Sequence, residues 1–538
     1  MQPSNQEEIP SRAVPLSRWR GRVTIVAVVT IVLSGVFFAA HALVDRQQTS
    51  ASQLNIGADI VAENARAGVT DWLTPPAWTA TTQIQAYADR ESVQPGEKLR
   101  LFVSVQVAGT PYTARVYRLG WYGGAGARLM LTASEIGDAQ GYFDETTMTL
   151  RACATCRTDT QTGLVEANWR PSFEFPIPAN WVTGIYLAKL TDTAGFQTQV
   201  VFVVRGKPHS TYLAVTPSTT VAAYNQWGGY SLYLGPDSTS ASRGVKVSLD
   251  RPLAGTARRQ GLVYEIDAIR WIERLGYDVS YVSDVNLHEH PELLLNHRAY
   301  LSLGHDEYWT KEMRDGVERA RDAGVNLAFF GSNAAYWQMR FESSSSGIPN
   351  RTVVCYKVNY QTIPHPDPLQ GVDDERVSTL WRAPPLNRPE NALIGVMYSN
   401  YDSQPQGFAW RASAAGPSRL LAGTGIIAGQ DYGCDIVGYE WDKIYGNGAT
   451  PRTLHVLSAS PTVIVRLPAQ ADVSNSVYYT AASGALVFAS GSIQWAYALD
   501  GLRLLPDANC AGREAPVPQI QRLMANVMDA LAVHAPAL

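Results

Sequence analysis

The feature that most constrains the fold is a change in hydrophobic pattern near residue 206. From Trp78 to Arg205, apolar and polar residues alternate in short segments such as LRLFVSVQV, TARVYRL and TQVVFVV. Clusters of Gly, Pro, Asn and Asp separate these segments. Alternation places apolar side chains on one face of a strand, and many short strands joined by turns are typical of an antiparallel sandwich or barrel. We therefore predict an antiparallel β-sandwich domain over residues 78–206.

A different pattern follows Gly206. Short apolar strands are predicted at 212–215, 277–282, 298–303 and 325–330, and amphipathic helices at 260–275, 311–323 and 519–533. Strands that alternate with helices favour a parallel α/β sheet. The sequence thus predicts an α/β plus all-β protein, with a parallel α/β domain of catalytic type over residues 207–538.

The N-terminal region contains a long uncharged segment. Residues 23–44 (VTIVAVVTIVLSGVFFAAHALV) carry no charge, and a helix of this length measures about 33 Å, which is enough to cross a bilayer. Four arginines in residues 1–22 flank it on one side only, which predicts a cytoplasmic N-terminus and an extracytoplasmic body. We predict a single-pass signal anchor in the cell membrane, followed by a stalk at 45–77. The alternative is secretion after signal cleavage near Ala42.

Composition and cysteine content narrow the class of protein. The chain is 46% hydrophobic and 17% charged, as in globular proteins, and its net charge of −4 gives no reason to expect a nucleic-acid partner. Of five cysteines, Cys153 and Cys156 form a CxxC pair, for which a disulfide is the expected state outside the cytoplasm. A four-cysteine zinc site requires a second CxxC, and the sequence has none.

Two strand ends carry the side chains best suited to chemistry. The strand at 300–303 continues into Gly-His-Asp-Glu-Tyr-Trp, and the strand at 326–330 continues into Gly-Ser-Asn. Ligands of open parallel sheets bind outside the carboxyl ends of the strands. One helix joins the two strands, so their ends should face the same crevice. We therefore predict that His305, Glu307 and Asn333 share a functional site.

Several longer stretches carry a family resemblance. They are VYRLGWYGGAGARL, GIYLAKLTD, AAYNQWGGYSLY, YEIDAIRWIERLGYDVSYVSDVNL, the block SLGHDEYWTKEMRDGVERARDAGVNLAFFGSNAAYWQMRFE, and GYEWDK. With them the chain resembles the large (beta) subunit of N,N-dimethylformamidase, from about Trp78 to the C-terminal helix. The resemblance does not extend to the predicted membrane segment and stalk.

The resemblance implies an amidohydrolase with one iron, expected to be ferric, bound by two tyrosines and a glutamate. It implies Glu307, Tyr224 and Tyr186 as metal ligands, with Tyr186 supplied by the sandwich. A core or cross-strand tyrosine is the alternative for Tyr186. The resemblance further implies that His305, Asn333 and Glu440 line the site, His305 or Glu440 as proton donor and Asn333 as hydrogen-bond donor to the oxyanion.

The resulting expectation is a membrane-anchored, iron-dependent hydrolase that cleaves the C–N bond of a small amide such as a formamide. The alternatives are a non-catalytic cell-surface protein and a carbohydrate-binding protein that keeps the fold. The dimethylformamidase enzyme is soluble and has a separate small subunit, so the presence of a small subunit here stays open. A homo-oligomer is a further possibility.

Overall fold

The computed structural model describes residues 56–538 except 360–365, 403–406, 414–418, 465–468, 503, 505–515 and 534–538. Two sheets pack face to face in the first part of the described chain. One has three strands, in the order Ile84–Ala88, Lys98–Val105, Phe173–Pro176. The other has five strands, in the order Ser92–Val93, Gln197–Val204, Gly184–Asp192, Pro111–Leu119, Ala127–Ile136.

The space between these two sheets is filled by apolar side chains from both. Ile84 and Leu101 from one sheet meet Val116 and Ala188 from the other in a single buried cluster. Two small hairpins extend this region, Tyr142–Asp144 with Thr149–Arg151 and Arg157–Asp159 with Leu164–Glu166. A disulfide joins Cys153 to Cys156, which confirms the expected state of the CxxC pair.

A seven-stranded sheet, called here the central sheet, dominates the rest of the chain. Its order is Val279–Ser283, Tyr212–Thr216, Ala299–Leu303, Asn326–Phe330, Leu486–Ala489, Val477–Thr480, His455–Val456. The first five strands are parallel, and the last two pairings are antiparallel.

Alternate residues of these strands enter two different cores. Leu301 and Phe330 face the side covered by helices Ile266–Arg274 and Pro518–Ala532. Tyr300 and Phe329 face the side covered by helix Lys311–Asp322. Burial on both faces explains why the strands are almost continuously apolar.

The remaining elements are short. A four-stranded sheet has the order Lys246–Ser248, Thr352–Val354, Trp337–Glu342, Tyr308–Thr310. Three strand pairs join Met397–Tyr401 to Glu440–Lys443, Phe408–Arg411 to Asp431–Val437, and Ser460–Ile464 to Gln470–Ser474. The other α-helices of the described chain are Ala58–Asn64, Ser218–Tyr224, Gly255–Gln260, Asp284–Glu289 and Asn391–Ile394.

The predicted fold class is wrong for the C-terminal half. The region is not a parallel α/β domain, because its largest sheet is mixed and many of its strands lie in small sheets of two to four strands. The physical reason lies in the loop-rich sequence after residue 360. It supplies short strands such as Val477–Thr480, which add antiparallel pairings to the edge of the parallel sheet.

The prediction of a membrane-spanning helix also requires correction. Among the residues that the structure describes, no helix is long and apolar enough to cross a membrane. The segment 23–44, on which the predicted anchor rests, and the alternative cleavage point near Ala42 lie outside the described residues. Within the described ranges, the structure therefore does not support the predicted transmembrane helix or the single-pass location that rests on it.

Helix Lys311–Asp322 begins with a side-chain cap next to the candidate site. Thr310 Oγ1 accepts a hydrogen bond from the Met313 amide at 3.1 Å. Thr310→Ala should lower the free energy of unfolding by about 1 kcal/mol, because this amide loses its partner, whereas Thr310→Ser keeps the cap. Urea unfolding of both variants checks this, and equal losses in the two would contradict a capping role.

Candidate active site

The site begins where two neighbouring parallel strands end. Ala299–Leu303 and Asn326–Phe330 pair directly, and each is followed by a glycine. A Cβ at Gly331 would stand 1.9 Å from the carbonyl oxygen of Gly304, so the two turns pack too closely for a larger residue. Gly304 itself has a φ of +64°, a conformation that favours glycine. These turns bring His305, Glu307 and Asn333 to one place.

Glu307 is the centre of the group. Its side chain is buried, and its carboxylate accepts hydrogen bonds from Tyr233 Oη at 2.7 Å, Tyr224 Oη at 3.1 Å and Trp337 Nε1 at 3.0 Å. The rings of Tyr224 and Tyr233 stack with centroids 4.3 Å apart. Burial raises the pKa of Glu307, while the positive charges of His305 and Lys357 oppose that shift.

Tyr224 ends the helix Ser218–Tyr224, and Tyr233 follows a glycine pair nine residues later in the same AAYNQWGGYSLY stretch. Burial, followed by the charge of Glu307, raises the pKa of both phenols well above the usual value. Both tyrosines are half-buried residues, whereas Glu307 is buried.

His305 lies between the two carboxylates of the site. Its Nε2 is 3.4 Å from Glu307 Oε2 and 3.4 Å from Glu440 Oε2, and its Nδ1 has no hydrogen-bond partner among the described residues. Burial by itself lowers the pKa of His305, but the charges of Glu440 and Glu307 outweigh it and raise this pKa to about 9. The geometry therefore favours the imidazolium.

Asn333 and Glu440 complete the group. The side-chain Nδ2 of Asn333 donates to Glu440 Oε2 at 2.9 Å, and the backbone N–H of Asn333 donates to Asp442 Oδ1 at 2.8 Å. Asn333 Oδ1 has no partner among the described residues, although the residue is buried. Glu440 begins the strand Glu440–Lys443, so the C-terminal loop-rich region contributes directly to the site.

Two further observations concern neighbours of Glu307. Asp306 points away from the site, since its carboxylate accepts from Ser302 Oγ at 2.7 Å and Trp309 Nε1 at 2.7 Å. Lys357 is buried, with its Nζ 3.4 Å from the centroid of the Tyr233 ring, and desolvation lowers the pKa of Lys357 to about 7. Lys357 thus faces the aromatic side of the group with a cation–π contact.

The structure does not bring Tyr186 to this group. Tyr186 is fully buried in the sandwich, where its ring stacks on Trp181 and Phe202 and its hydroxyl donates to the carbonyl of Val182. Tyr233 is the second tyrosine at Glu307, and it is not among the residues predicted from the sequence. The signal was its place in the same AAYNQWGGYSLY stretch as Tyr224.

The expectation of a metal-binding protein needs a correction at this point. The described part of the chain contains no group of three or more His, Cys, Asp or Glu side chains that could hold a metal ion. A metal site built from those residue types is therefore contradicted. The oxygen donors that do converge are two phenols and one carboxylate.

The fold and the group together define a protein with a cluster of carboxylate, phenol and imidazole side chains at the carboxyl edge of a mixed sheet. The family of N,N-dimethylformamidase beta subunit-like proteins, C-terminal part, matches residues 113–511. The chain belongs to this family, which confirms the resemblance found in the sequence. All residues of the group lie within the matched range.

Other comparisons add little. No curated protein matches the chain. Among solved structures, the sporulation control protein Spo0M of Bacillus subtilis is 10% identical, with a TM-score of 0.15, over 24% of this chain and 51% of that one. A glucanotransferase of Paenibacillus sp. is 11% identical, with a TM-score of 0.15, over 51% and 34%. Murine CEACAM1b is 12% identical, with a TM-score of 0.12, over 24% and 62%. The chain thus spans less than two thirds of each.

Proposed function

We propose that this protein is a hydrolase that cleaves the carbon–nitrogen bond of a small amide at the group around Glu307. The observation that carries the proposal is the convergence of two phenol hydroxyls on one buried carboxylate, in a chain of the dimethylformamidase beta subunit-like family. The two phenols, the carboxylate of Glu307, the imidazole of His305 and the amide of Asn333 form one connected polar group, whose size suits a compact substrate.

The donor set fits a ferric ion. Phenolate and carboxylate oxygens are hard anionic donors, and Tyr224, Tyr233 and Glu307 would supply three of them to one ion. We propose these residues, with Tyr233 in place of Tyr186, as the ligands of a single iron. When bound, such an ion polarises the amide carbonyl as a Lewis acid.

The remaining residues have roles that follow from their contacts. Amide nitrogen is a poor leaving group and needs a proton, and the imidazolium of His305, held between Glu307 and Glu440, can donate it. Glu440 accepts a hydrogen bond from Asn333 Nδ2 and so fixes the orientation of the Asn333 side-chain amide. The unpartnered Oδ1 of Asn333 can then accept a hydrogen bond from the attacking water.

The family description of a beta subunit supports assembly with at least one further chain. We propose a small amide as substrate and leave the number of chains to measurement by light scattering. A second copy of this chain and a separate small subunit are both compatible with this proposal.

The test compares three tyrosines in the purified full chain. Tyr224→Phe and Tyr233→Phe should each lower kcat/KM for formamide and N,N-dimethylformamide hydrolysis about 100-fold and reduce bound iron, because each removes one oxygen donor. Tyr186→Phe should change neither by more than about threefold. Amine release and metal content are the measurements.

The outcomes separate the parts of the proposal. Loss of activity and iron in Tyr186→Phe, with none in Tyr233→Phe, would contradict the ligand set. Absence of amide hydrolysis by the iron-loaded wild-type chain, over a panel of small amides, would contradict the hydrolase and favour a binding protein.

A further inference from the structure

A chamber separate from the Glu307 group lies between the five-stranded sheet and the start of helix Ser218–Tyr224. It has a volume of about 140 Å³ and opens to solvent. Most of its lining is apolar, including Val201, Val203, Val221, Leu249, Leu253 and Leu262. A cavity with apolar walls and a few polar groups is the usual form of a small-molecule site.

The notable polar group of this wall is a buried guanidinium. Arg251 is only 2% exposed, and its two Nη atoms donate to the carbonyls of Trp227 and Asn225, each at 2.7 Å. Its Nε has no hydrogen-bond partner, and no carboxylate of the described chain lies close enough to pair with it. A buried cation without an anionic partner is costly, and a bound anion would remove that cost.

The other charged groups of the chamber do not neutralise Arg251. Glu91 pairs with Arg351 at 2.7 Å, and Arg90 lies 3.3 Å from Asp89. Glu265 is buried, its Oε2 has no partner, and desolvation raises its pKa to about 8. Near neutral pH it is therefore largely a neutral acid, able to donate a hydrogen bond instead of repelling an anion.

We propose that this chamber binds a small carboxylate with an apolar alkyl or aryl body. The carboxylate would pair with Arg251, and the apolar body would lie against the valine and leucine side chains. Helix Ser218–Tyr224 separates the chamber from the Glu307 group, since Ser218 and Val221 line the chamber while Tyr224 contacts Glu307. The inference therefore stands independently of the proposed hydrolysis.

Equilibrium dialysis of the full chain against 4-butylbenzoate, with 4-butylbenzyl alcohol as the uncharged analogue, tests the proposal. One molecule of the carboxylate should bind per chain, at least about tenfold more tightly than the alcohol, because only the anion pairs with Arg251. Arg251→Met should remove this preference.

Because Arg251 also holds two backbone carbonyls, a second variant leaves it intact. Val201→Trp should fill the chamber and weaken carboxylate binding at least about tenfold. Val107→Trp, at a valine of the same region that is 68% exposed, is the matched control and should bind as the wild type does. Equal affinity for the two compounds, unchanged binding by Val201→Trp, or no binding by the wild type would overturn the proposal.

Discussion

Glu307→Gln should reduce amide hydrolysis by about 1,000-fold or more while leaving the fold intact. The carboxylate accepts from Tyr224, Tyr233 and Trp337, and its charge lies 3.4 Å from His305 Nε2. The glutamine side chain has the same size as the glutamate. It lacks the negative charge that stabilises the imidazolium of His305 and that would neutralise a bound cation. Steady-state rates of amine release, together with iron content and the circular dichroism spectrum, measure the effect.

The control for this variant is a glutamate of the same region outside the group. Glu375 is exposed and lies 3.6 Å from Lys311 at the surface, so Glu375→Gln should keep rates within about twofold. A Glu307→Gln protein with near wild-type turnover would remove Glu307 from the reaction. If the Glu307→Gln protein does not fold, Glu307→Asp is tested in its place. It keeps the negative charge and should retain more activity than Glu307→Gln.

The sequence was sufficient to predict the meeting of His305, Glu307 and Asn333. Two parallel strands joined by one helix leave little choice of geometry, because their carboxyl ends share an edge of the sheet. The prediction that Glu440 belongs to the site, in contrast, depended on the family resemblance alone. It follows a long loop-rich segment whose strands are four to seven residues long, and no local pattern indicates where such strands pair.

Tyr233 shows what local pattern does not reveal. It follows Gly228 and Gly229, both with positive φ, and this turn folds its ring back onto Tyr224. Tyr186 lies in an ordinary alternating strand, whose inward residues fill the sandwich core. Whether Tyr186 or Tyr233 lies beside Glu307 therefore depends on the backbone conformation of this turn. In the sequence, only the two glycines indicate that conformation.

The antiparallel strands of the central sheet were missed for a related reason. The run at 485–489 is apolar, which is typical of a buried strand, and the structure has the strand Leu486–Ala489 there. Its partner Val477–Thr480 has only four residues and mixed polarity. Helix Pro518–Ala532, in contrast, has an apolar face sustained over fifteen residues, so its prediction needed no tertiary information.

The largest expected effect on stability belongs to a buried ion pair that links the sandwich to the central sheet. Arg118, on strand Pro111–Leu119, is fully buried, and its Nη atoms lie 2.8 and 2.9 Å from the carboxylate of Glu273, on helix Ile266–Arg274. Arg118→Met should lower the free energy of unfolding by about 3–5 kcal/mol, because Glu273 stays buried without its partner. Urea unfolding followed by tryptophan fluorescence measures the loss.

Two comparisons show whether the unpaired charge is the cause. The double variant Arg118→Met, Glu273→Leu should recover much of the lost stability, since no charge then remains unpaired in the interface. Arg115 lies on the same strand as Arg118 and forms a surface ion pair with Asp71, in which both side chains are nearly half exposed. Arg115→Met breaks that pair and should cost less than about 1 kcal/mol. If Arg118→Met cost no more than Arg115→Met, the buried pair would not stabilise the contact between sandwich and central sheet. If the double variant were as unstable as Arg118→Met, the loss would instead come from the bonds of Arg118 to Tyr122 and to the carbonyl of Thr183.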